Sequence, residues 1–278
     1  MDAAKLYFGH GTDNALDEAA FLVLRSLQLP FDIADEILDR PLTEEQRQQV
    51  IDVVNERILS RKPSAYLLGE CWFAGLRFFV NEQVLVPRSP FAELILERFA
   101  PWCRADNIKR ILDIGTGSGC IAIASAIAFP ASTVDAIDIS PEALAVAQRN
   151  VKDYGLQERI TLIESDLFQN LEGRNYDLII ANPPYVDAGD FAVMPPEYRH
   201  EPAIGLRAGT DGLDVVRRIL QSAGEHLAGQ GVLAVEVGNS EKALIRCYPE
   251  APFLWLEFAR GGGGVFLLTR EELLRWFT

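Results

Sequence analysis

The chain has 278 residues, 49% of them apolar, and a formal net charge of −14. That length suits one large domain, or a main domain with a smaller one attached, and so apolar a composition excludes a disordered chain. The acidic balance argues against a naked DNA or RNA duplex as main partner, since holding phosphates takes Lys and Arg clusters; it favours a basic protein partner, or simply keeps the surface soluble.

Cys71, Cys103, Cys120 and Cys247 are scattered, as are His10, His200 and His226, so neither a disulfide framework nor a metal site is expected. The first residues lack a basic segment leading into an apolar one, and no apolar run approaches the ~18 residues of a membrane span. A cytoplasmic location without membrane contact is expected.

The first part reads as helical. Residues 14–29 carry Leu16, Ala19, Ala20, Val23, Leu24 and Leu27 at helix period. Thr43-Glu44-Glu45-Gln46 is a capping box opening a second helix to about Ser60, with Val50, Val53, Val54 and Leu59 on its inner face. Pro30 and Pro41 punctuate the stretch between, so two or three short helices form a small bundle. From Cys71 the pattern turns aromatic and branched: residues 71–80 and Val84-Leu85-Val86 read as a hairpin looped at Asn81-Glu82-Gln83. Val86-Pro87-Arg88-Ser89-Pro90 then leads into a helix over residues 91–99.

After Ile108, strands and helices alternate, which predicts a doubly wound α/β sheet. Strands are expected at 110–114, 133–137, 160–163, 176–181 and 232–237, and helices at 120–129, 212–227 and from Ser140-Pro141 to Gly155. Residues 253–258 and 265–268, joined by Gly261–Gly264, read as a closing antiparallel hairpin. Asp113, Asp138, Asp166 and Asn182 all fall at strand C-terminal ends, where such sheets bind ligands.

Two motifs carry chemistry. Gly115-Thr116-Gly117-Ser118-Gly119 joins a strand to a small-residue helix, an arrangement in which glycines let a ligand approach the backbone. Its G-x-G-x-G spacing differs from the dinucleotide fingerprint, and Asp138, about 20 residues on, suits a ribose; these features alone leave NAD and S-adenosylmethionine both open. Asn182-Pro183-Pro184-Tyr185 ends a later strand. Its prolines stiffen the turn while their carbonyls and the Asn182 amide oxygen stay free to accept hydrogen bonds beside the flat face of Tyr185. Such a corner suits a planar NH2 group, and with it the methyl donor is favoured. Without the glycine element the tetrapeptide would read as ordinary turn punctuation.

From about Pro63 onward the chain resembles the class I S-adenosylmethionine-dependent methyltransferases, and more narrowly the protein-(glutamine-N5) methyltransferases of the HemK/PrmC–PrmB group. The residues that carry this are Val86-Pro87-Arg88, Gly115 to Gly119 and Asn182 to Tyr185. The resemblance implies a seven-stranded Rossmann-like sheet over residues 91–278, a helical substrate-recognition domain over 1–70 and a linking β-hairpin over 71–90. Tyr7-Phe8-Gly9-His10-Gly11-Thr12-Asp13-Asn14, Ser89-Pro90, Glu197 to Pro202, Gly209 to Leu213 and residues 255–266 are similar to the branch acting on large-subunit ribosomal protein L-three. That branch usually carries roughly 30 further residues ahead of Tyr7, so a shorter start or a truncation is expected, beyond what a length prior alone would signal.

The resemblance also implies roles. Asn182 and the Pro183 carbonyl accept the two N–H bonds of the substrate amide, Pro184 stiffens the corner and Tyr185 packs the amide or shields the cation. Gly115, Thr116, Gly117, Ser118 and Gly119 surround the methionine portion of S-adenosylmethionine, with Asn182 facing it; Asp113 supports the turn or the amino group. Asp138 holds the ribose, and Asp166 with Leu167 borders the adenine. Arg88 is expected in an exposed salt bridge, and Glu201, Asp211 and Glu236 in structural pairs. The alternatives are methylation of the Gly-Gly-Gln glutamine of peptide chain release factors, adenine-N6 methylation of nucleic acid, and a non-catalytic cofactor-binding factor in ribosome assembly.

Overall fold

The computed structural model describes residues 4–31, 37, 39–259 and 261–277. Two helices, α1 (Ala15–Ser26) and α2 (Glu44–Ser60), open the chain. Asn14 caps α1 by accepting from the Leu16 and Asp17 amides, and Thr43 with Gln46 forms the reciprocal capping box of α2. A third helix between Pro30 and Pro41 would lie largely outside the described residues. The inner faces differ from the apolar stripes. Leu16 and Leu59 stand in solvent at 78% and 82% exposure, whereas Glu18, Leu22 and Arg57 are buried. A buried ion cluster explains this: the Arg57 guanidinium pairs with Glu18 and donates to the Tyr7 carbonyl at 3.0 Å. Arg61 donates to buried Glu197 at 2.6 Å, and the Tyr7 amide donates to the same oxygen at 2.9 Å. Charges so buried persist only when paired.

A short helix α3 (Ser64–Leu68) leads into the hairpin of β1 (Glu70–Phe73) and β2 (Leu76–Phe79). The antiparallel pairing Glu70↔Phe79 to Phe73↔Leu76 puts the turn at Ala74-Gly75, both at positive φ, and not at Asn81–Gln83. Val84–Val86 is irregular, because Val86 spends its amide on the Glu201 carboxylate (3.0 Å) and not on a ladder. Helix α4 (Phe91–Leu96) stops before the expected Phe99; Arg98 and Phe99 have positive φ.

The main sheet runs β3 (Arg110–Ile114), β4 (Thr133–Asp138), β5 (Ile160–Glu164), β6 (Tyr176–Ala181), β7 (Leu227–Glu236), β8 (Leu254–Trp255) and β9 (Val265–Thr269). Their order is β5-β4-β3-β6-β7-β9-β8, parallel except for β9, which is antiparallel to both β7 and β8. Between them come α5 (Cys120–Ala128), α6 (Pro141–Asp153), α7 (Ala188–Val193), α8 (Asp214–His226) and α9 (Glu241–Cys247), and α10 (Arg270–Trp276) closes the chain. Ser140 Oγ accepts the Ala143 amide at 3.1 Å ahead of Pro141, as the cap signal predicts.

Side chains alternate between the two faces with strand period. Ile111, Leu178 and Ile180 join one apolar cluster, with α5 and α6, while Leu112, Ile114, Ile179 and Ala181 join the other, with α8 and α10. Chain order reverses between β3 and β6, and the C-terminal ends of these two neighbours form the crevice where open α/β sheets take ligands.

Candidate active site

β3 and β6 pair in parallel with Ile114 opposite Ala181, so the residues that follow, Gly115 and Asn182, leave the sheet side by side. The turn after β3 needs φ of +70, +53 and +79 at Gly115, Gly117 and Gly119, a conformation that side-chain-bearing residues rarely adopt. The Thr116 amide donates to the Ile137 carbonyl at 2.9 Å and the Gly117 amide to Asp138 Oδ2 at 2.9 Å, tying the turn to the end of β4. Asp138 Oδ1 accepts the Ser140 amide at 3.0 Å. Burial pushes the Asp138 carboxyl up, and the two amides pull it back.

The glycine turn and the Asn-Pro-Pro-Tyr corner line one cavity of about 590 Å³, the size of a small-molecule site. Gly115, Thr116, Gly117, Ser118, Asp138, Asp166 and Leu167 line it, as do Asn182, Pro183, Pro184 and Tyr185. Asp113 and Gly119 stand behind the wall. Asp113 is fully buried; its Oδ2 accepts from Thr116 Oγ1 (2.6 Å) and the Ala122 amide (3.1 Å), so it braces the turn. Burial pushes its carboxyl up to about 7, against those two donors, and Oδ1 has no partner among the described residues. A β-carbon on Gly119 would meet Ala147 Cβ at 3.3 Å, so this glycine serves the packing of α5 on α6.

Asp166 Oδ2 accepts from Arg218 at 2.9 Å. Leu167 holds φ +53, rare for a non-glycine residue, and Ser165 Oγ donates to its carbonyl at 2.6 Å. Across the cavity, the Asn182 amide and the Pro183 carbonyl have no hydrogen-bond partner among the described residues. Tyr185 is fixed at both ends: Ser240 Oγ donates to its carbonyl at 2.7 Å, and its hydroxyl donates to Glu236 Oε1 at 3.0 Å. The Glu236 carboxyl is raised by burial, against the hydrogen bonds from Ser89 and Tyr185 and the nearby charge of Arg88.

Arg88 is not in an exposed salt bridge. It makes a two-pronged, part-buried pair with Glu201, at 2.5 and 2.8 Å, and its guanidinium lies 5.4 Å from the Tyr198 ring centre. Asp211 pairs with Arg217. Tyr7 and Tyr198 line the same cavity, so the N-terminal segment shares the site.

The cavity can take an extended ligand: the glycine backbone allows close approach, and Asp138 and Asp166 bring carboxylates to its wall. Residues 92–194 match the model of the methyltransferase small domain family. The chain is 47% identical, over 98% of its length and 92% of the relative's, to the ribosomal protein uL3 glutamine methyltransferase of Bordetella pertussis. The chain belongs to the uL3 glutamine methyltransferase family. A second family member, from Neisseria meningitidis serogroup A, is 49% identical over 99% of this chain and 90% of that one. The fold agrees with a crystal structure of a methyltransferase from Pyrococcus furiosus: TM-score 0.51, 17% identity, 82% of this chain and 99% of that one.

Sequence reasoning about this family member missed Gly238 and Arg218. A β-carbon on Gly238 would stand 2.5 Å from Tyr185 Cε2, so the glycine makes room for that ring. Its position just past the end of β7, level with the other strand-end residues, was the available signal.

Proposed function

We propose that this chain uses S-adenosylmethionine to methylate the side-chain amide nitrogen of a glutamine in large-subunit ribosomal protein uL3, in the cytoplasm. The observation that carries the reading is the convergence of the glycine turn and the Asn182 corner on one cavity, supported by the names of the family members. S-adenosylmethionine supplies an electrophilic methyl group; Gly115, Thr116, Gly117 and Ser118 hold its methionine end, Asp138 its ribose, and Asp166 with Leu167 its adenine.

An amide nitrogen is a poor nucleophile because its lone pair is delocalised into the carbonyl. The free Asn182 oxygen and Pro183 carbonyl accept its two N–H bonds, aim the lone pair and favour the charge that develops on nitrogen. Holding both reactants in contact removes up to ~7–11 kcal/mol of the barrier in well-aligned cases. Residues 1–70 recognise the substrate protein, a role supported by Tyr7 in the cavity wall. The net charge of −14 favours a basic protein over naked nucleic acid. No helix among the described residues is long and apolar enough to cross a membrane.

The test is purified uL3 with methyl-labelled cofactor, beside release factor and ribosomal RNA. Label on a uL3 glutamine, lost in Asn182→Ala while cofactor affinity stays within a few-fold, is the expected result. Label on the release factor or RNA alone, or undiminished turnover in Asn182→Ala, overturns it.

A further inference from the structure

We propose that Glu236 and Ser89 are positioning residues for methyl transfer, holding Tyr185 in the orientation that receives the substrate amide; this rests on the reading of the site given above. Glu236 is the last residue of β7 and is 5% exposed. Its carboxylate takes the Tyr185 hydroxyl on Oε1 at 3.0 Å and the Ser89 hydroxyl on Oε2 at 2.5 Å. Ser89 Oγ also accepts the Phe91 amide at 3.1 Å, which commits its own proton to Glu236. The nearby guanidinium of Arg88 is spent on Glu201. A buried carboxylate with no salt bridge among the described residues, reached only by the field of Arg88, is costly, and an apolar residue would serve packing alone better.

What the carboxylate achieves is a fixed ring. Gly238 leaves the space in which the Tyr185 ring lies, Ser240 pins the tyrosine carbonyl, and Glu236 pins the hydroxyl. The ring is thereby one wall of the cavity that Asn182 and Pro183 also line. Through Ser89 the same carboxylate joins this wall to the Val86–Ser89 linker, whose other side is held by Glu201. The linker between the N-terminal helices and the sheet is thus bonded to the catalytic corner.

The experiment compares wild type, Glu236→Gln, Tyr185→Phe, their double variant and Ser89→Ala. The readouts are kcat and KM with uL3, the affinity for S-adenosylhomocysteine by calorimetry, and melting temperature. Glu236→Gln and Tyr185→Phe should each lower kcat by roughly tenfold or more with cofactor affinity within about twofold, and the double variant should be no slower than the slower single, because residues acting as a unit are not additive. Ser89→Ala should lose kcat in the same direction. Unchanged kcat in Glu236→Gln and Ser89→Ala, or losses that multiply in the double variant, overturns the proposal. If Glu236→Gln does not fold, Ser89→Ala with Tyr185→Phe decides by the same criterion. If wild type does not methylate uL3, the reading of function fails, and the coupling of melting temperatures across wild type, Glu236→Gln, Tyr185→Phe and their double variant decides the Tyr185–Glu236 link; additive shifts overturn it.

Discussion

The carbonyl oxygen of Asn182 lies 3.8 Å from the point where a β-carbon on Gly115 would stand. The turn that follows β3 and the corner that follows β6 therefore touch across the mouth of the sheet. Two motifs 67 positions apart become one site because their strands are neighbours in register, Ile114 beside Ala181.

Gly115→Ala puts a methyl group into that gap on a backbone at φ +70, which costs a side-chain-bearing residue about 1–2 kcal/mol. Cofactor affinity should fall by roughly tenfold, the equivalent of 1.4 kcal/mol, with a lowered melting temperature. Calorimetric titration with S-adenosylhomocysteine checks it; an unchanged dissociation constant would show that the gap is not used.

Gly238→Ala acts on the other wall. The new methyl group would collide with the Tyr185 ring at 2.5 Å, so the ring or the backbone must move. Turnover should drop by roughly a hundredfold, as for small displacements of reacting groups, while the fold persists. Steady-state kinetics beside a circular dichroism spectrum reads both.

Arg57→Leu leaves Glu18 and Glu197 buried beside an apolar side chain. Breaking a buried pair by removing one partner costs about 3–5 kcal/mol, and urea unfolding should show a loss of that order. The double variant Arg57→Leu, Glu18→Leu should recover a large part of it, since the uncompensated charge is gone.

Glu201 carries a pH dependence of known sign. Burial pushes its carboxyl up, but the His10 ring 3.6 Å away and the Arg88 guanidinium outweigh this and hold it at about 2. A carboxyl held below its ordinary 4.5 adds stability above that pH, lost as pH falls through about 2. The size is about 3 kcal/mol at 1.36 kcal/mol per unit. Urea midpoints between pH 6 and pH 2 should fall steeply in wild type and more shallowly in Glu201→Gln.

Short-range rules made much of the catalytic half legible. The glycine turn, the Ser140-Pro141 helix start and the strand ending at Ala181 each follow from a few adjacent residues, because φ preference, capping and strand period act locally. The same reasoning failed where polar groups went inside. Helix period alone placed Leu16 and Leu59 inward, whereas Arg57 and Glu18 took those places, since each satisfies the other only when the helices meet. The hairpin turn was misplaced because Val86 found its partner in Glu201, 115 residues away.

By itself the order of residues determined the α/β alternation, the two motifs and the family they resemble, all of which rest on interactions between near neighbours in the chain. Only the tertiary structure decided that Tyr185 is tied to Glu236 and Ser89, that Gly238 makes room for its ring, and that Tyr7 reaches the same cavity. Those pairings join residues far apart in sequence, and only the packing of the sheet and the desolvation it imposes bring such partners together.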